Sequence, residues 1–377
     1  MTWARRWALL QALMRWMVTD MTGRRQFLGG LLAAGLSPNP TWADAGSPAF
    51  ISAAMKPDGS FVLCGIRADL QIGFMLPLPA RGHAAAVHPI RPEAVAFARR
   101  PGTFAVIVDC VTGQQKAILR ATAGRHFYGH GVFSLDGSRL YTTENDYESG
   151  QGRIGVWDTR RGYRRIDEWD SGGIGPHDIK RLPDTETLVV ANGGIDTHPD
   201  TGRTKLNIPT MQPNLAYVAD GAVIAVATLC AEMHKNSIRH LAVDRQGQVA
   251  FGMQWQGAGR VDALVGVHRI GSAVKLMKTA AVDLRGLRGY VGSVAFSPDG
   301  HTVAVTSPRG GVLQLYTAST RTLAQTITLP DVCGVAAIGQ TITATTGTGT
   351  LVQMNATREI LRRRTDVQWD NHLIPLA

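Results

Sequence analysis

Five histidines occupy equivalent points of a segment that recurs along the chain, and neutral imidazole is a common ligand for transition metals. The segment consists of two residues, a pivot, one variable residue and then a short apolar strand. Its copies are Arg81-Gly82-His83, Tyr128-Gly129-His130, Gly175-Pro176-His177, Ile238-Arg239-His240, Tyr290-Val291-Gly292, Asp331-Val332-Cys333 and Asp370-Asn371-His372. Every pivot except Gly292 carries a side chain able to hold a metal ion. Imidazoles suit iron, copper and zinc, and a thiolate at Cys333 favours copper or zinc. Three or four ligands suffice, so His83, His130, His177 and His240 are assigned to the metal. Cys333 and His372 are conditional members, and Glu144 is a carboxylate partner with Asp146 beside it. His126 and His198 rank second. His88, His234, His268 and His301 lie away from the pivots and read as surface residues. The competing reading is a channel that tolerates polar side chains, each imidazole bonded to water or backbone.

The same places offer anion chemistry. Arg81, Arg125 and Arg239 stand beside three pivots, while Asn192, Arg203 and Lys205 belong to a polar insertion. Guanidinium forks bind carboxylates and phosphates through paired hydrogen bonds. Such a set suits a small anionic chelate, for instance a citrate-like one, or a quinone cofactor. Other catalytic motifs are absent: there is no Gly-x-Ser-x-Gly elbow, no Gly-rich phosphate loop ending in Gly-Lys-Ser/Thr and no His-Glu-x-x-His. An enzymatic role, if there is one, falls to oxidoreductase chemistry.

The elements that must position these residues follow from the spacing. Successive pivots are 47, 47, 63, 52, 41 and 39 residues apart. A period of about 40–50 residues is the mark of a β-propeller, in which one position per blade becomes a ring in space. Within the repeats, Asp58-Gly59, Asp136-Gly137 and Asp299-Gly300 sit between apolar runs and signal hairpins. The last segment has room for one strand and residues 50–78 for about three, so the expected fold is an all-β, seven-bladed β-propeller closed by pairing of its terminal strands. Whether the C-terminal strand is innermost or outermost decides whether His372 joins the ring. The long step from His177 to His240 contains the Gly-rich insertion, about residues 191–213, which must leave its blade as a loop.

Residues 1–45 read as a leader rather than fold. Thr22-Gly23-Arg24-Arg25-Gln26-Phe27-Leu28 looks like a twin-arginine export motif, followed by an apolar stretch and Ala43-Asp44-Ala45 as a cleavage signal. Met21, just before it, is the expected true start, which leaves 46–377 as one domain in the periplasm, exported already folded. Removing residues 1–45 takes away five arginines and two aspartates, so the formal charge falls from +10 to +7. The basic residues are scattered, which argues against nucleic acid and for anionic ligands or surfaces. The four cysteines form no Cys-x-x-Cys pair and no Cys-x-x-Cys-His attachment for covalent c-type haem, and the expectation is one disulfide at most in the periplasm, not a disulfide scaffold. No apolar run reaches the roughly 18 residues of a membrane span.

With Leu78 to His83, Ala98 to Gly102, Arg125 to Gly131, Thr143 to Asp146, Gly173 to His177, Ser237 to Leu241 and Gly289 to Ser293 in view, the chain resembles an uncharacterised bacterial family of twin-arginine-exported propellers, a domain-of-unknown-function group. The resemblance implies the propeller fold and a context among imelysin-type periplasmic iron-uptake proteins as partners. It implies no activity. The leading expectation is a periplasmic propeller that binds iron, copper or a chelate of either at the channel mouth, in uptake or redox handling. An interaction scaffold without metal and a quinone- or metal-dependent oxidoreductase are the alternatives.

Overall fold

Apolar runs interrupted by Asp-Gly fold as antiparallel hairpins because glycine takes the positive φ that the turn demands. Gly59, Gly137 and Gly300 have φ of 82°, 70° and 72°, and the preceding aspartates close the turns by accepting from backbone N–H groups two residues on. The computed structural model describes residues 40–99, 102–202, 204–355 and 358–376. The twin-arginine motif and Arg203 lie outside the described residues. The chain divides into Met1–Pro40 and Thr41–Ala377, and the described strands belong to the second unit. Residues 41–45, expected in the leader, form a turn in that unit, where Trp42 Nε1 donates to His88 O at 3.1 Å and Ala45 is buried.

The strands form seven antiparallel sheets, six of four strands and one of five, and the protein is a seven-bladed β-propeller. Blade 1 comprises Gly82–Val87, Glu93–Ala98, Phe104–Asp109 and Gln115–Arg120. The innermost strands of blades 2 to 6 are Arg125–Phe133, Pro176–Arg181, Asn236–Val243, Ser293–Phe296 and Val332–Ile338. Blade 7 combines the two ends. Phe50–Met55 pairs outward with Phe61–Ile66, and inward with Gln368–Trp369 and Ile374–Pro375, in the registers Ala54↔Trp369 and Ile51↔Ile374. The C-terminal segment is therefore innermost, and His372, between its two short pairings, stays in the channel.

The core lies between blades rather than inside any one of them. Phe97 and Ile107 of blade 1 share an apolar cluster with Phe127, Leu140 and Trp157 of blade 2, and Leu313 of blade 5 packs with Val335 and Ile342 of blade 6. Each sheet buries both faces against neighbours, so inner strands such as Glu93–Ala98 are buried throughout. The insertion runs between strands Leu188–Asn192 and Asn214–Ala219 of blade 3, with two 3-10 turns at Pro199–Thr201 and Ile208–Thr210. It is fastened by Gly193 N and Gly194 N donating to Gly175 O and Ile174 O, and by Ser237 Oγ donating to Gly193 O. A short helix, α1 (Ala281–Gly286), links blades 4 and 5. Among the described residues no helix is long and apolar enough to cross a membrane.

Candidate metal centre

The pivots reach the channel because the inner strands break register at them. Shifts occur between Gly82 and Ala85, Phe127 and Gly131, Pro176 and Asp178, Ile238 and His240, and Val332 and Val335. A bulge adds a residue to one strand and re-aims its side chain. That lets a histidine leave the pleat of a buried strand and point along the channel radius. Gly129, just before His130, has φ of 97°, and a Cβ there would stand 2.7 Å from Cδ2 of His83. Glycine is needed at this point for backbone conformation and for room.

Five imidazoles converge. Ring centroids are 4.6 Å apart for His130 and His372, 4.7 Å for His83 and His372, 4.8 Å for His177 and His240, and 5.0 Å for His130 and His177. His240 and His372 meet across the channel at 5.0 Å, although the two blades without a histidine pivot separate them. Two triads, His83 with His130 and His177, and His130 with His240 and His372, each present ligand atoms within 4.8 Å of one another. His372, conditional from sequence, is a full member. His177 is half-buried and the other four are buried.

Burial is the first cause of the protonation state. It lowers the pKa of His130 to about 4 and holds His177, His240 and His372 well below the usual histidine range, and the charge of Arg239 adds to the effect at His177 and His240. Neutral imidazole is the ligating form. Asp178 Oδ1 lies 3.1 Å from His130 Nδ1, so Nδ1–H donates to the carboxylate and Nε2 carries the lone pair. Burial opposes the charge on Asp178, but Lys180 and His130 hold its pKa far below the carboxylate range. His177 Nδ1 donates to Arg239 O at 3.0 Å in the same way. Asp370, kept ionised by His83 and Arg81 against its burial, stands 3.9 Å from His83 Nδ1. Among the described residues His83 Nδ1, His130 Nε2, His372 Nε2 and both ring nitrogens of His240 are buried without a hydrogen-bond partner. Buried nitrogens so exposed to one another are costly unless something binds them.

Several expected members lie elsewhere. Glu144 is fully buried on Arg139–Asp146, where Arg165 Nη1 lies 2.7 Å from Oε1 and Thr142 Oγ1 donates at 2.8 Å. It belongs to neither triad, because the strand pleat turns it toward the outer strand of its own blade. Cys333 is in neither triad either: its thiol, pushed up to about 12 by burial, donates to Asp331 O. Cys64, Cys110, Cys230 and Cys333 are all free. Of the anion candidates, Arg239 lines a cavity against the histidines, whereas Arg81 pairs with Asp370 at 2.7 Å and Arg125 with Asp146 and Glu168. Asn192 is consumed in the core, bridging Ser171 and Asn214. His126 bonds to Phe127 O and Asn145, and His198 caps the turn at Asp200. His88 and His268 are buried, contrary to expectation, because each satisfies both ring nitrogens, His88 across to Gly137 of blade 2 and His268 with Tyr217 and Ser272. Asp178 and Asp370 were the carboxylates that sequence reasoning passed over. The signal was available, since both lie within two residues of a pivot.

Fold and site together define a β-propeller with a histidine cluster across its channel. Residues 76–376 match the family described as "Protein of unknown function (DUF1513)", and the chain belongs to that family. No curated protein matches the sequence. Among solved structures, hydrazine synthase of Kuenenia stuttgartiensis is similar, with a TM-score of 0.59 at 14% identity, over 84% of this chain and 96% of that one. At that identity the likeness concerns the fold alone.

Proposed function

We propose that the protein binds one transition-metal ion, copper or iron, through the channel histidines, and handles that metal in uptake or redox chemistry. The observation that carries the reading is the set of converging channel imidazoles whose unpartnered nitrogens face one another. With Cys333 outside the cluster the donor set is all imidazole, which suits copper(II), iron and zinc more than copper(I). His130 is common to both triads and has only Nε2 to give, since Nδ1 serves Asp178. The triads are thus alternative ligand sets for a single ion. The leader motif supports export by the twin-arginine route into the periplasm, a route that carries proteins already folded around a metal, and the proposed partners are periplasmic iron-uptake proteins.

Metal analysis of protein exported with its own leader tests this, beside a His130→Ala/His177→Ala double variant. About one ion per chain is expected in the native protein and a small fraction of that in the variant. Near-zero content in both would sink the proposal.

A further inference from the structure

We infer that the cavity on the insertion side of the histidines is a seat for a small, multiply charged oxyanion, a carboxylate or a phosphate. The inference deepens the metal reading and rests on it for what the anion would meet on the cavity floor. The cavity's own charges stand without a metal.

The histidine layer partitions the channel. A cavity of about 380 Å³ on one side has His83, His177 and His240 in its lining, and one of about 590 Å³ on the other side has His240, His372 and Asp178. These sizes lie in the range of small-molecule sites, roughly 300–1,000 Å³. The larger cavity mixes signs, with Asp178 and Asp244 among its basic neighbours. The smaller one is lined by Arg99, Lys205, Arg239 and Arg309 and, among the described residues, by no acidic one. Four cations around a confined volume repel one another, and a multiply charged anion removes that repulsion while taking up their donors.

The cationic groups are held in place before any ligand arrives. Arg309 lies over the Tyr290 ring at 4.4 Å, and Lys205 Nζ, brought in by the insertion, donates to Gln256 Oε1 at 2.5 Å. Arg239 is buried beside His240, and its backbone oxygen accepts from His177. Arg99 stands 3.7 Å from Asp370, whose nearer partner is Arg81 at 2.7 Å. Trp255 adds an indole N–H that is buried and has no acceptor among the described residues. The lining thus offers N–H donors from Arg99, Lys205, Arg239, Trp255 and Arg309, the groups that an oxygen anion requires. Position sharpens the chemistry: an anion here lies against the imidazoles and reaches a bound metal from this side.

Calorimetric titration of the full chain at low ionic strength, metal-free and copper-loaded, with citrate in one arm and inorganic phosphate in the other, tests the inference. One anion should bind the metal-free protein with 1:1 stoichiometry, and the arm that binds more tightly identifies carboxylate or phosphate. A Lys205→Gln/Arg309→Gln variant, both groups being exposed, should weaken binding tenfold or more while keeping the melting temperature. An Arg239→Gln variant should also weaken it tenfold or more. Absence of binding by both anions, or equal binding by all variants, overturns the inference. Anion binding without metal loading overturns the metal reading alone, and metal loading without anion binding overturns this inference alone.

Discussion

Asp178 follows His177 in the chain yet serves His130, on the neighbouring blade, and this crossing shows how the site is held together. Its carboxylate accepts from His130 Nδ1–H and also from Leu241 N at 2.9 Å on blade 4. One side chain therefore fixes the spacing of three inner strands and the tautomer of His130, the central ligand of the proposed site. An Asp178→Asn variant keeps an acceptor but loses the charge. Its metal affinity, measured by competition with a chelator, is expected to fall about 10–100-fold, and unchanged affinity would count against the orienting role. Glu144 supplies the opposite case. Paired to Arg165, it is a structural group, so Glu144→Gln is expected to lower stability by about 2 kcal/mol, as for a buried hydrogen bond to a charged group, with metal content unchanged. The histidines were legible because a repeat spacing puts like residues at like places. The carboxylates were not, because which acid faces which imidazole depends on contacts between blades, and no periodicity records them.

At the scale of elements, the bulges convert strand residues into channel residues. Gly129→Ala places a Cβ at a positive φ and against His83, a strain of about 1–3 kcal/mol. The variant is expected to melt lower and to bind metal more weakly; if neither changes, the packing argument for His83 fails. Blades are also tied by charge. Glu93 of blade 1 accepts from Tyr163 of blade 2 at 2.6 Å and pairs with Arg91 and Lys116. Burial opposes its charge, yet these three partners lower its pKa from 4.5 to about 2. A depressed folded-state pKa contributes stability that is present above about pH 4.5 and is lost as pH falls toward 2. Denaturant melts across that window should fall more steeply for the native protein than for Glu93→Gln, which is expected to be less stable by about 2 kcal/mol at neutral pH. Parallel curves would remove Glu93 as the cause. The hairpins were readable from Asp-Gly pairs alone, whereas the bulges carry no residue signature of their own and surfaced only in the strand registers.

For the whole molecule, ring closure joins stability to the histidine cluster. The two C-terminal pairings cover the inner edge of Phe50–Met55 and deliver His372 to the cluster in the same stroke. The arithmetic of the repeat predicted seven blades and a shared closing blade, and the paired ends bear that out. It left the innermost place open, because a strand of this length fits either edge of a sheet. The central claim, that imidazoles of the channel cluster hold one metal ion with no help from a thiolate, is most directly tested by X-ray absorption at the metal edge of protein produced with its own leader. The account predicts a shell of three or four imidazole nitrogens at about 2.0 Å. A sulfur scatterer at about 2.3 Å, or a shell without the imidazole signature, would contradict it.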